Sequence, residues 1–304
     1  MDDKRDRQHT NSLEDLVNEA DALLARKPLS RRGFAAASVA AGFAAAAGPV
    51  AASVVATDAE GLDAGMVEVP TAGGTMPAYR ARPQGVAHPP VILVIHEIFG
   101  VHEWVKDVCR RFAKQGWYAI AGELYWRHGK VADYTDIGKL VSELVAKIPD
   151  DEVPADLDAE IVFATKEGGD TKRLSVTGFC WGGRQSWMYA AHNPKLKAGI
   201  AWYGPLVQPP TPNALRPTYP VDIAKDVKVP VLGLYGAKDT NITQEHVERM
   251  RKALKEGGST ACRIDVFADA GHGFFADYRD SYNETDAKDA WGRALAWLHE
   301  HGAG

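Results

Sequence analysis

Gly178-Phe179-Cys180-Trp181-Gly182-Gly183 sets a cysteine among glycines, where a strand-like run (Leu174–Thr177) gives way to a helix-like run (Arg184–Ala191). A side chain held on so sharp a strand-to-helix turn needs glycine two residues away on either side, because a Cβ there collides across the turn. The common form of this elbow, G-x-S-x-G, carries serine. With Cys180 in that place the chemistry to expect is acyl transfer by a thiolate, its pKa lowered at the N-terminus of a helix. A tight structural turn around a buried thiol would satisfy the same five residues. The distinction rests on a base and on a residue that orients it.

Both follow in the chain order nucleophile, acid, histidine. Tyr235-Gly236-Ala237-Lys238-Asp239-Thr240 places Asp239 just after an apolar run, and Ala270-Gly271-His272-Gly273-Phe274 places His272 in a glycine-flanked loop after the next one. His272 would take the thiol proton and return it to the leaving group, while Asp239 would hold its tautomer and stabilise the imidazolium. Asp269 competes with Asp239, but three residues before His272 it suits a turn cap better. His96-Glu97-Ile98-Phe99-Gly100 follows a further buried run, where such a site draws one oxyanion-stabilising amide. That amide would be Ile98 N–H, joined by Trp181 N–H beside the nucleophile. Glu97 could cap a helix beginning near His102, or hold or abstract the thiol proton.

These residues need a scaffold that brings strand ends together. Met66–Pro70 and Met76–Ala81, separated by Ala72-Gly73-Gly74, read as an antiparallel hairpin at a sheet edge. Val91–Ile95 is a continuous apolar run, as expected of a strand covered on both faces. Tyr118–Ala121, the elbow strand, Lys197–Tyr203, Val229–Tyr235 and Cys262–Phe267 continue the series. Helix-like periodicity spans Asp133–Ile148, Pro154–Glu167, Gln244–Lys255 and Asp286–His301. Alternation of this kind predicts an α/β fold, a mostly parallel sheet with helices on both faces, whose site lies at the carboxyl ends of the strands. The proline-rich Pro205–Pro220 interrupts the pattern as a connecting loop or a stiff lip over the site.

The chain of 304 residues is 45% hydrophobic and carries a formal net charge of -5. The mild acidity excludes nucleic acid as an expected partner. Before the fold stands Ser30-Arg31-Arg32-Gly33-Phe34, then an uncharged Ala/Gly/Val-rich stretch, Ala35–Ala56. A twin arginine ahead of a weakly hydrophobic segment is similar to a twin-arginine export signal. Small residues near Ala45–Ala47 and Val54–Ala56 offer cleavage sites, so residues 1–56 are expected to be a polar region and cleaved signal rather than a lasting membrane span. The expected partner of the precursor is then the twin-arginine export machinery, the location periplasmic or secreted, and the folded unit one domain over 57–304. Cys109, Cys180 and Cys262 form neither a disulfide framework nor a metal cluster by spacing, although a Cys109–Cys262 bridge is possible. No metal or organic cofactor is called for.

At this point the sequence resembles the dienelactone hydrolases of the α/β-hydrolase fold. The likeness rests on His96–Gly100, Gly122-Glu123-Leu124-Tyr125, Gly178–Gly183, Gly236–Asp239 and Ala270–Phe274, in one order from about Met66 to His301. It implies a Cys180-Asp239-His272 triad, with Glu97 keeping the thiol quiet until substrate turns it, and hydrolysis of an unsaturated lactone or related ester. Tyr125, Arg127 and Phe274 are the candidate substrate contacts. Family members acting on dienelactone clamp its carboxylate with arginines. Here Ala276 stands four residues after the histidine, with Arg279 three positions late, and residues 133–148 contain no arginine. The expectation is therefore intact acyl-transfer machinery and a preference for neutral esters. A non-catalytic or redox-responsive protein on the same fold is the alternative.

Overall fold

The computed structural model describes residues 57–210 and 213–304. The expected twin-arginine signal, with the cleavage sites expected in it, and all else before Thr57 lie outside the described residues. No helix among the described residues is long and apolar enough to cross a membrane.

Eight strands form one sheet: β1 (Leu62–Thr71), β2 (Gly74–Pro83), β3 (Pro90–Ile95), β4 (Tyr118–Gly122), β5 (Asp170–Phe179), β6 (Ala198–Trp202), β7 (Val231–Gly236) and β8 (Arg263–Phe267). Their spatial order is β1-β2-β4-β3-β5-β6-β7-β8. The predicted hairpin is present as β1 and β2, antiparallel at one edge, and β2 joins β4 antiparallel as well. From β4 to β8 every pairing is parallel. The helices α1 (Glu103–Lys114), α2 (Glu152–Lys166), α3 (Trp181–His192), α4 (Gln244–Glu256) and α5 (Glu284–Glu300) supply the crossovers and the covering layers. Burial on both faces explains why β3, β4, β6 and β7 are buried along their whole length and read as unbroken apolar runs. Thr243 and Asn283 cap α4 and α5, accepting hydrogen bonds from His246 N and Asp286 N.

One expectation needs correction, and one open question is answered. The helix expected over Asp133–Ile148 is present from Ile137 to Lys147 but is irregular: an α turn (Ile137–Lys139), a π stretch (Leu140–Leu144) and a 3₁₀ turn (Val145–Lys147) follow one another directly, after a separate 3₁₀ turn at Val131–Asp133. Leu140, Val141, Leu144 and Val145 are all buried; their spacing supplies the helical period, and packing onto the domain decides the backbone. Asp136 restarts the chain by accepting from Lys139 N. The possible Cys109–Cys262 bridge is not formed: both thiols are free. Cys109 is fully buried in α1, and burial raises its thiol pKa, whereas Cys262 points at Val229 O.

Under the elbow the core is aromatic. Phe179 stacks on Phe275 at 5.7 Å, Trp202 packs on Phe275 at 4.3 Å, and Trp104 meets Phe179 edge-on at 4.8 Å. Trp202 Nε1 also donates to Thr177 Oγ1 on the neighbouring strand. The residue before Cys180 is thereby fixed in a rigid bed.

Candidate active site

Cys180 ends β5 and opens α3 with φ 52° and ψ −117°, an unfavourable backbone conformation for a side chain other than glycine's. Such strain costs about 1–3 kcal/mol and persists only where the surroundings fix it. They do. Cys180 N donates to Trp202 O, and Cys180 O accepts from Gly183 N. A Cβ on Gly178 would lie 2.2 Å from Gly182 O, and one on Gly182 would lie 2.4 Å from Ile95 O. The glycines therefore let the β3 end, the elbow and the first turn of α3 touch.

His272 and Asp239 meet the elbow from the ends of β8 and β7. Asp239 Oδ2 lies 2.7 Å from His272 Nδ1, and Asp239 Oδ1 accepts from Asn241 N and Ile242 N, both at 2.9 Å. Burial alone would raise the Asp239 pKa, but the imidazolium and these donors together lower it. Burial likewise opposes a charge on His272. The Asp239 carboxylate and the Cys180 thiolate outweigh it, and the histidine pKa stands well above its ordinary value. The raised histidine pKa and its Asp239 partner favour a positive charge on the ring beside Cys180. The rival Asp269 lies at the surface, 2.8 Å from Lys238 Nζ.

The side of the elbow that meets the end of β3 is built around His96. Leu124 N donates to His96 Nε2 at 3.2 Å, so the ring proton sits on Nδ1 and is donated to Glu97 O at 2.6 Å. Burial keeps this ring neutral by lowering its pKa. Carbonyl and amide of one trans peptide point in opposite directions, so holding Glu97 O on His96 turns Ile98 N–H the other way. Neither Ile98 N nor Trp181 N donates to another described residue. His96 also stacks on Trp181 at 5.4 Å, tying the two donor loops together. Glu123 completes the support, its Oε2 accepting from Val101 N at 2.9 Å beneath Gly100.

Glu97 does not cap α1, whose N-cap has no side-chain bond. It is fully buried, and its Oε2 accepts from Tyr278 Oη at 2.6 Å and from Arg279 Nη2 at 2.9 Å. Burial would raise its pKa, yet Arg279, His102 and Tyr278 bring it down to about 2. Its folded pKa lies below the ordinary 4.5, so its contribution to stability is fully present above that value and is lost as pH falls toward about 2. Arg279→Met is expected to cost about 3–5 kcal/mol at neutral pH by leaving a buried carboxylate without its cation. The deficit should shrink on acidification as Glu97 takes up a proton. Urea melts of both proteins across the acid range test this, and a deficit independent of pH would refute it.

A cavity of about 470 Å³ reaches the elbow, with Ile98 and Trp181 on its wall and Leu206 and Val207 of the proline-rich segment facing them. That segment is thus a wall of the site. Cys180 itself is fully buried and is not on this wall. Tyr125 is buried edge-on against His96 and Trp181, its hydroxyl 3.5 Å from Glu97 O. Phe274 is buried against Tyr203 and Phe267. Arg127 does not join this group. Its guanidinium grips Asp156 at 2.6 and 2.7 Å and lies over the Trp126 ring.

Sequence reasoning passed over Tyr203, His102 and Tyr278. Tyr203 lies buried with φ 36°, its ring 5.2 Å from His272. Its position just past the carboxyl end of β6 was the available signal. Tyr278 and Arg279 lie shortly after His272 in sequence, but nothing in the spacing showed that they turn back onto Glu97.

Sheet order, elbow and strand-end loops define an α/β hydrolase. The sequence profile of the dienelactone hydrolase family matches residues 76–302, and the chain belongs to that family. A protein of Methylorubrum extorquens named "Putative carboxymethylenebutenolidase" is 52% identical over 283 residues, covering 92% of this chain and 96% of the relative. An Escherichia coli K12 protein of the same name is 51% identical over 250 residues, covering 82% of this chain and 91% of its own. The crystal structure titled "Putative Dienelactone Hydrolase" from Klebsiella pneumoniae is 52% identical, with a TM-score of 0.76, and covers 78% of this chain and 98% of that one. The chain is a dienelactone hydrolase-like hydrolase.

Proposed function

We propose that this hydrolase cleaves carboxylic esters or lactones through a Cys180-His272-Asp239 triad and an acyl-thioester on Cys180. The observation that carries the reading is the buried Asp239–His272 pair turned on a cysteine at a strained elbow, beside two backbone donors, Ile98 N–H and Trp181 N–H, that have no other partner among the described residues. The thiolate attacks the carbonyl carbon, and the developing oxyanion is received by those amides. The imidazolium gives its proton to the departing alkoxide, which in a lactone stays on the acyl chain. Neutral His272 then draws a proton from water, whose oxygen attacks the thioester and releases acid and thiol. Glu97, held by Arg279 and Tyr278, supports a role as the group that settles the resting thiol. The relatives' names, carboxymethylenebutenolidase and dienelactone hydrolase, agree with a lactone or ester as substrate. The full burial of Cys180 gives the redox-responsive alternative no support. The test is a panel of p-nitrophenyl esters and five-membered enol lactones with the purified chain. Catalytic turnover of esters or lactones is expected, and a chain that turns over neither contradicts the proposal.

A further inference from the structure

The loop that returns to Glu97 runs from His272 to the start of α5 without a helix or strand of its own. Ala276 N donates to Gly273 O, Arg279 N to Ala276 O and Asn283 N to Phe274 O. Turn bonds of this kind fix the shape of the loop but not its place on the domain. Its place is set by α1. Trp104, Asp107 and Arg111 are spaced to lie on one face of that helix. The Trp104 ring packs on Tyr278 at 5.7 Å and on Phe275 at 6.0 Å. Arg111 Nη2 pairs with Asp277 Oδ2, and the next two residues in the chain are Tyr278 and Arg279.

Arg111 is itself held firmly. Its Nε donates to Asp107 Oδ2 at 2.6 Å, and the fully buried Asp107 also accepts on Oδ1 from Thr57 N at 2.9 Å and Arg110 Nη2 at 3.3 Å. Burial weighs against the Arg111 charge, but Asp107 and Asp277 outweigh it and raise its pKa. A planar guanidinium spanning two carboxylates makes a stiff joint between helix and loop. Among the described residues Arg111 is the one cation paired with Asp277, whose Oδ1 is sealed from solvent without a hydrogen-bond partner. The same helix meets Glu97 at its other end: the N-cap of α1 is His102, and His102 Nε2 lies 3.8 Å from Glu97 Oε2. The loop matters to the thiol as well. Burial opposes the charge on Arg279, whereas Glu97, Tyr278 and Cys180 raise its pKa, so that guanidinium in turn favours a thiolate at Cys180.

We propose that Arg111 and Asp277 are positioning residues for Glu97: their ion pair fixes the loop after β8 on α1, so that Tyr278 and Arg279 stay on the Glu97 carboxylate. Neither residue lines the cavity that reaches Ile98 and Trp181. For its effect on rate, the pair rests on the reading of Glu97 given above. Arg279, His102 and Tyr278 hold the Glu97 charge, with Tyr203 after β6 and His96 after β3 within electrostatic reach. With the ion pair broken, Tyr278 and Arg279 drift from a fully buried carboxylate. Burial is then poorly opposed, and Glu97 takes up a proton far more readily.

The direct readout is the ionisation of Glu97, followed as the infrared carbonyl band of a protonated carboxyl and assigned by its loss when Glu97→Gln is added to each background. In wild type that band should still be absent at about pH 4, because the Glu97 pKa is about 2. In Arg111→Met and in the isosteric Asp277→Asn it should already be present there, and Asp277→Asn carries the test if the methionine variant does not fold. Both variants should lower kcat/KM for p-nitrophenyl acetate about 10-fold or more, chiefly through kcat. The double variant should lose no more than the worse single one. Arg111→Lys, which keeps the charge, should lie close to wild type. Arg110→Met, which loses a contact to Asp107 but leaves Asp277 paired, should lower the melting temperature while leaving the band and kcat/KM unchanged. A band that stays absent in both variants, one that Arg110→Met brings up equally, or strictly additive losses in the double variant would overturn the assignment. Failure of the underlying reading looks different: the band would appear as expected while kcat/KM stayed at the wild-type value.

Discussion

Replacing Cys180 by alanine is expected to lower kcat for ester hydrolysis by about 10⁴-fold or more, while the fold survives. Alanine keeps a Cβ, so the strained backbone at φ 52° is no worse than before. Removing one sulfur from a fully buried position costs about 1 kcal/mol, well within the reserve of such a domain. Cys180→Ser sharpens the argument, because it separates an ion pair from general-base catalysis. A serine hydroxyl must lose its proton to a neutral imidazole. His272, whose pKa is raised well above the ordinary value by Asp239 and Cys180, would on the proposed mechanism be charged in the resting pair. The serine variant lacks the thiolate that helps hold that proton, but its hydroxyl has a far higher pKa than a thiol. It should recover only a small part of the lost rate. Near-wild-type turnover by the serine variant would show that the thiolate–imidazolium pair is not what drives the reaction.

Asp239→Asn is expected to reduce kcat/KM by about 10²–10⁴-fold with little change in the melting temperature. The asparagine Oδ1 can still accept from Asn241 N and Ile242 N, which holds the loop after β7. Its amide would then donate to His272 Nδ1, leaving the ring proton on Nε2, where it faces the thiol instead of receiving from it. Loss of the carboxylate also removes the largest attraction that raises the His272 pKa. The imidazolium is then lost at lower pH, and the basic limb of the kcat/KM profile should move to lower pH. An unchanged profile, or a variant as active as wild type, would mean that Asp239 only shapes the loop.

What could be read from the chain, and what could not, divides along physical lines. The parallel sheet was visible because β3, β4, β6 and β7 lie buried on both faces, and burial writes itself into sequence as β-branched and apolar runs. The elbow was visible because close backbone contacts leave only glycine at positions 178 and 182. Asp239 and His272 were visible because their loops follow such strands directly. The segment 133–148 reads as one regular helix because its four buried aliphatic side chains carry that period, whereas the chain is helical over 137–147 only and changes type along it. Arg279 and Tyr278 reach Glu97 from 182 and 181 residues away. Charge partnerships between loops leave no local pattern, so Cys180, Asp239 and His272 could be picked out along the chain while the groups packed around them could not.

The most direct measurement of the account is the intact mass of the enzyme quenched in acid during turnover of a slow ester. The account predicts a species heavier by one acyl group in wild type, mapped by peptide digestion to Cys180, released by neutral hydroxylamine and absent from Cys180→Ala. An acyl group on any other residue, or steady hydrolysis by Cys180→Ala at the wild-type rate, would contradict it.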